Sequence, residues 1–142
     1  CEQDGSGERD DRVRVLVVED GLDNQRLIRH VLTRAGFAVE MLDNGEAGVE
    51  LMQAAMLSDG GGDLPDVVLL DMQLPGIDGD EVARELRTMG YRGPVIALTA
   101  QAMAGDRERF LAAGGDEYMS KPFNPAALIA LVTESASGRR AA

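Results

Sequence analysis

Two short runs constrain this chain most. "VRVLVV" (Val13–Val18) is rich in β-branched valine and ends in four consecutive apolar residues, Val15–Val18, and "VVLLD" (Val67–Asp71) carries four aliphatic residues straight into an acid. A strand with one wet face alternates polar and apolar side chains. Unbroken runs instead point to strands buried on both faces, the habit of parallel sheets covered by helices. The rest of the chain fits that reading. A helix is expected over about Asn24–Ala35, with Leu27, Ile28, Val31 and Leu32 on its apolar face and Gly36 as its stop. "FAVEML" (Phe37–Leu42) alternates enough to suggest a strand near the sheet edge, and Gly45–Leu57 reads as a helix with Ala47, Leu51, Met52, Ala55 and Met56 apolar. After "DVVLLD" come a helix over Asp80–Met89, a strand "PVIALTA" (Pro94–Ala100), a helix over Met103–Ala113 and a short strand "DEYMS" (Asp116–Ser120). The last helix opens at "NPAAL", where Asn124 can cap and Pro125 suits the first helical position. Leu128, Leu131 and Val132 form its buried stripe. Five strands alternating with five helices imply a doubly wound α/β fold around a parallel sheet.

The ends read differently. Residues 1–11 and "ASGRRAA" are polar or small, so the folded domain is expected over 12–135, with disordered tails at 1–11 and 136–142. The connector "SDGGGDLP" (Ser58–Pro65) follows a helix and lacks the Lys-Ser/Thr of a phosphate loop, so it reads as a linker. The 142 residues, 44% hydrophobic, suffice for one core. A net charge of −11, from 25 acids against 14 bases, and only 4% aromatics argue against a nucleic-acid surface. No apolar run approaches a membrane span, and the opening residues form no signal peptide. The single Cys1 permits no internal disulfide, which fits a reducing cytoplasm.

In doubly wound folds the functional crevice lies at the carboxyl ends of the strands. Here those ends carry Glu19 and Asp20, then Asp71, Thr99 and Lys121. Two like charges about 4 Å apart repel by roughly 4 kcal/mol at an effective dielectric of 20. Three carboxylates together therefore call for counter-charge, from Lys121 and from a hard divalent cation such as Mg²⁺. No His or Cys set suits zinc, and the one histidine, His30, falls mid-helix. A carboxylate, Mg²⁺, a hydroxyl and an ammonium can support phosphoryl transfer to Asp71 as an acyl phosphate. Thr99 can donate to a phosphoryl oxygen, and Ala100 beside it is small enough to leave room.

"VVEDGLDNQ", "LLDMQLPGIDG", "VIALTA" and "GGDEYMSKPF", in that order, resemble the receiver domain of two-component response regulators, over about Val13 to Val132. That resemblance implies a flavodoxin-like (βα)5 fold with strand order 2-1-3-4-5. It implies Asp71 as phosphoacceptor, and Asp20 as direct metal ligand with Glu19 its partner, often through water. The backbone carbonyl of Gln73 would complete the shell around Mg²⁺, for which Mn²⁺ could substitute. Thr99 and Lys121 match the switch hydroxyl and the phosphate-binding lysine, and Tyr118 the aromatic whose rotamer follows Thr99. Gln73 and Gln101 would tune phosphate lifetime, and the Lys121–Pro122 bond is typically cis in this family. The Glu-Asp pair and "EDGLDNQRLIRHVLTRAG" look most like receivers attached to hybrid sensor histidine kinases. The implied partners are a histidine kinase or a histidine phosphotransfer domain, and a protein docking on the face of the fourth helix, fifth strand and fifth helix. A homodimer on phosphorylation is also compatible, whether the receiver stands alone or forms the cytoplasmic part of a membrane-bound kinase. Against that resemblance the loop Ser58–Pro65 is longer than usual for the family.

Two rivals share features with this reading. A dehalogenase-type hydrolase also uses a nucleophilic Asp after an apolar strand with Mg²⁺, but needs an acid two positions on, where Gln73 stands. A docking module without phosphorylation typically loses the acceptor, an acidic-pair member or the lysine, all of which are present. A nicotinamide site is excluded because the first strand runs into "EDG" with no Gly-rich turn.

Overall fold

The computed structural model describes residues 13–57, 64–72, 76–99, 105–120 and 124–141, with side chains described as far as Ala136. The elements alternate strictly: β1 (Arg14–Val18), α1 (Leu22–Arg34), β2 (Ala38–Leu42), α2 (Gly45–Leu57), β3 (Val67–Asp71), α3 (Gly79–Thr88), β4 (Val95–Thr99), α4 (Asp106–Ala112), β5 (Glu117–Ser120) and α5 (Pro125–Ala141). All strand pairs are parallel, and the sheet order is β2-β1-β3-β4-β5. The expected topology is therefore the one found.

Strand parity divides the core. Leu16, Val18, Val68 and Leu70 face one way and pack with Met52 of α2, Val82 and Leu86 of α3 and Phe110 of α4. Val15, Val17, Val67 and Leu69 face the other way, against Ile28, Val31 and Leu32 of α1 and Leu128, Val132 and Ala136 of α5. With both faces covered, β3 has no room for a polar residue until its last position. Val67 to Leu70 are each 0% exposed. The expected edge strand is also where alternation placed it: β2 is half-buried with Glu40 outward.

Several expected details change. Leu27 is 46% exposed, so the apolar face of α1 is Ile28, Val31 and Leu32. Leu27 lies one residue before that stripe, turned away from the sheet. On α2 the residues fully buried are Gly45, Gly48, Met52 and Ala55, while Ala47, Leu51 and Met56 are half-buried. Helix α4 is described from Asp106, after Gly105, whose left-handed φ of +87° a helix cannot continue through; the expected start at Met103 lies outside the described residues. The α5 backbone continues to Ala141, beyond the expected domain end, and Ala136 is buried. Its start is as expected: the Asn124 Oδ1 accepts from the amides of Ala126 (2.8 Å) and Ala127 (3.2 Å), ahead of Pro125.

At the amino ends of the strands one side chain ties four segments together. The Arg87 guanidinium on α3 donates to the carbonyls of Gly114, Tyr91 and Gly93, each at 2.8 Å, and to the Asp116 carboxylate at 2.7 Å. Asp116 Oδ2 in turn accepts from the Val95 amide at the start of β4, and the buried Tyr91 hydroxyl donates to the Pro65 carbonyl. A planar fork of five donors suits this arrangement; a lysine ammonium does not. Arg87→Ala should lower the unfolding free energy in urea by about 2–3 kcal/mol, because backbone acceptors are left unpaired. Arg87→Lys should recover less than half of that loss. A midpoint unmoved in Arg87→Ala would contradict this role.

Candidate functional site

The opposite end of the sheet gathers the acids. β1 delivers Glu19 and Asp20 in the turn before α1, and β3 delivers Asp71 from within the strand, in register with Leu98 of β4. Glu19 is 1% exposed and Asp71 6%, whereas Asp20 is exposed. One carboxylate oxygen of each lies within 4.8 Å of the other two. Among the described residues, this is the only group of acids, histidines and cysteines with that convergence. The parallel sheet explains it: neighbouring strands end at one edge, so side chains far apart in sequence meet there.

The Glu19 turn is tightly held. The Glu19 amide donates to the Leu42 carbonyl of β2 at 2.9 Å, and its carboxylate Oε2 accepts from the Gly21 amide at 3.0 Å. The Glu19 carbonyl accepts from the Gln25 side-chain amide. Behind Asp71, helix α3 starts at close quarters. A Cβ on Gly79 would come within 2.7 Å of the Met72 sulfur and 3.2 Å of the Asp71 carbonyl, so a larger residue there would have to displace Met72 and crowd the Asp71 backbone. Asp78 caps α3 by accepting from the Glu81 amide at 3.0 Å.

Thr99 ends β4 and is 2% exposed. Tyr118 sits on β5 beside Ala97, on the face covered by α3 and α4, with its ring tilted 54° to Phe110 at 6.2 Å. Its hydroxyl is buried and, like Asp80 Oδ1, has no hydrogen-bond partner among the described residues. Burial first, then the Asp106 carboxylate, push the Tyr118 phenol above its ordinary value. The Thr99 side chain acts the other way. Asp80 is raised too, by burial first and then by Asp78, while Arg109, whose Nε lies 4.0 Å from its Oδ2, opposes the shift.

The structure thus brings Glu19, Asp20 and Asp71 together, with Thr99 at the end of the next strand and Tyr118 one strand farther. Gln73, Ala100, Gln101, Lys121 and Pro122 lie outside the described residues. His30 is exposed on α1 and belongs to no such cluster. Sequence reasoning missed Gln25 and Asp80, since neither a side chain reaching back six residues nor a half-buried carboxylate leaves a periodic signal.

The response regulator receiver domain model matches residues 15–133. Among curated proteins, the chain is 37% identical over 123 residues to hybrid signal transduction histidine kinase I of Dictyostelium discoideum, covering 84% of this chain and 7% of that one. It is 41% identical over 112 residues to the transcriptional regulatory protein TcrA of Mycobacterium tuberculosis, covering 79% and 41%. The chain spans less than half the length of these relatives. Among solved structures, the receiver domain of the sensor histidine kinase PA1611 from Pseudomonas aeruginosa, with magnesium coordinated in its active-site cleft, aligns with a TM-score of 0.75. That alignment has 35% identity and covers 89% of this chain and 98% of that one. The beryllofluoride-activated receiver of Klebsiella pneumoniae RstA aligns at 0.76 with 28% identity, covering 87% and 97%.

The Asp80 shift has a testable sign. A carboxyl raised above its ordinary 3.8 binds its proton more tightly in the folded state. Its contribution to stability is complete below the unfolded value and is lost as pH rises through the folded one. The melting temperature of Asp80→Asn relative to wild type should therefore climb as pH rises above the ordinary carboxylate value. A difference that stays flat or falls over that range would contradict the burial of this carboxylate.

Proposed function

This chain belongs to the response regulator receiver domain family, and we propose that Asp71 is its phosphoacceptor, loaded from a phosphohistidine in a Mg²⁺-dependent reaction. The convergence of Glu19, Asp20 and Asp71 carries the reading. An Asp71 oxygen attacks phosphorus, the P–N bond breaks, and the electron pair returns to the imidazole nitrogen, which takes a proton. The product is an acyl phosphate on Asp71.

The donor set suits the cation. Three hard carboxylate oxygens, two from buried residues and one exposed, match Mg²⁺ or Mn²⁺ better than a soft metal. Asp20, Glu19, Asp71 and the Gln73 carbonyl would hold it. When bound, the ion supplies positive charge against the phosphoryl oxygens and relieves repulsion among the acids. Lys121 adds an ammonium, Thr99 a hydroxyl donor, and Ala100 room for the incoming group. Gln73 and Gln101 are the side chains assigned to phosphate lifetime.

The output is a switch. A phosphoryl group adds roughly −1.5 to −2 charge at Asp71. Thr99 turns toward a phosphoryl oxygen, and Tyr118, whose hydroxyl lacks a hydrogen-bond partner among the described residues, follows into the space. The α4-β5-α5 face changes and is read by a docking protein. The domain catalyses only its own phosphorylation and dephosphorylation. The likeness to two histidine kinase receivers favours a place in a hybrid sensor kinase, on the cytoplasmic side, fed by a kinase or phosphotransfer domain.

Incubation with acetyl phosphate and Mg²⁺, followed by intact mass, should give one phosphoryl adduct on the wild type. Asp71→Asn or added EDTA should give none. Thr99→Val should slow labelling by about 10- to 100-fold, the worth of one hydrogen bond to a charged group. An unlabelled wild type would overturn the proposal in favour of a phosphorylation-independent docking module.

A further inference from the structure

Three carboxylates held this close repel one another, and Asp20 has an easy escape. It is exposed, and the turn that carries it leads directly into α1. Swinging outward would hydrate its charge and lower the repulsion, at the expense of the cluster. Some constraint has to set the Glu19–Asp20 peptide, because its orientation decides where the Asp20 side chain starts.

The bonds around Glu19 show how that peptide is set. The amide is tied to the neighbouring strand through Leu42, and the carboxylate is tied forward to the Gly21 amide. The carbonyl, which belongs to the peptide joining Glu19 to Asp20, accepts from the Gln25 side chain six residues on. Gln25 is doubly anchored, for its own backbone amide donates to the Gly21 carbonyl at 2.9 Å as α1 begins. A carbonyl can only accept, so the side-chain atom facing it is the amide nitrogen. The first turn of α1 therefore reaches back and grips the peptide from which Asp20 projects. Gly21 leaves space for this tight turn: a Cβ there would stand 3.2 Å from Glu19 Oε2.

We propose that Gln25 is a positioning residue for the cation site: by holding the Glu19 carbonyl it keeps Asp20 turned toward Glu19 and Asp71. This rests on the reading of the three acids as a Mg²⁺ site. It touches neither metal nor phosphoryl group and acts through the Glu19–Asp20 peptide. Its length and its donor are both required, and methionine tests them separately. Methionine fills similar space and favours helix, but offers no N–H.

The test compares wild type, Gln25→Ala and Gln25→Met by calorimetric Mg²⁺ titration and by melting in EDTA. Both variants should bind Mg²⁺ about tenfold more weakly, as expected for one lost hydrogen bond. Gln25→Met should melt near the wild type without metal. Labelling by acetyl phosphate should return to the wild-type rate in the variants once Mg²⁺ is saturating. An unchanged Mg²⁺ affinity in Gln25→Met, whatever its melting temperature, would make Gln25 a packing residue and overturn the inference. Slow labelling that persists at saturating Mg²⁺ would also overturn it, since the defect would then lie beyond metal binding. A wild type that binds no Mg²⁺ would remove the cation site itself, and the role of Gln25 with it.

Discussion

The central strand cannot shift without unpairing backbone on both of its edges. β3 is hydrogen-bonded in parallel to β1 over Val67–Leu70 and to β4 over Val68–Asp71, and its four aliphatic side chains are wholly buried between two helical layers. Buried backbone groups that lose their partners carry a desolvation penalty of about 1–3 kcal/mol each, so Asp71 is held by a strand paired on both edges and buried on both faces. The acid stands at the first position where the strand reaches the rim. The neighbouring strands deliver Glu19, Asp20 and Thr99 to that same rim by virtue of being parallel.

The two ends of the sheet are built on opposite principles. At the amino ends, Arg87 satisfies three carbonyls and a carboxylate, and its guanidinium carbon sits 5.9 Å from the Tyr91 ring centroid. At the carboxyl ends, like charges crowd, and the Tyr118 hydroxyl and one Asp80 oxygen are buried without hydrogen-bond partners among the described residues. Buried polar atoms left unpaired make a state costly and ready to be replaced by another. A rigid base beneath a frustrated rim is a sound arrangement for a switch.

Much of this was legible in the residues. The unbroken runs in β1 and β3 announced a sheet covered on both faces, the alternation of β2 announced an edge, and Asn124-Pro125 announced the start of α5. The convergence of Glu19, Asp20 and Asp71 followed from strand ends in a doubly wound sheet. What stayed hidden depends on rotation about a helix axis or on single side chains. Leu27 was expected inside because it adjoins Ile28, yet one residue is a turn of about 100° on a helix, and it points to solvent. The start of α4 is set by a positive φ at Gly105, and composition says only that a glycine is there. The polar, small residues after Ser135 suggested a tail, but α5 is carried on by its backbone and by burial of Ala136. The Gln25 and Arg87 contacts join segments by one side chain each, and no periodicity encodes them.

The central claim is that the acid at the end of β3, rather than either acid of the β1 turn, takes the phosphoryl group. Borohydride reduces an acyl phosphate to the alcohol, leaving a permanent mark on the carboxylate that carried it. Treating the acetyl-phosphate-loaded protein in this way and mapping its peptides tests the claim most directly. Homoserine in place of Asp71, with Glu19 and Asp20 intact, is the predicted result; reduction at Glu19 or Asp20 with Asp71 unmodified would contradict it.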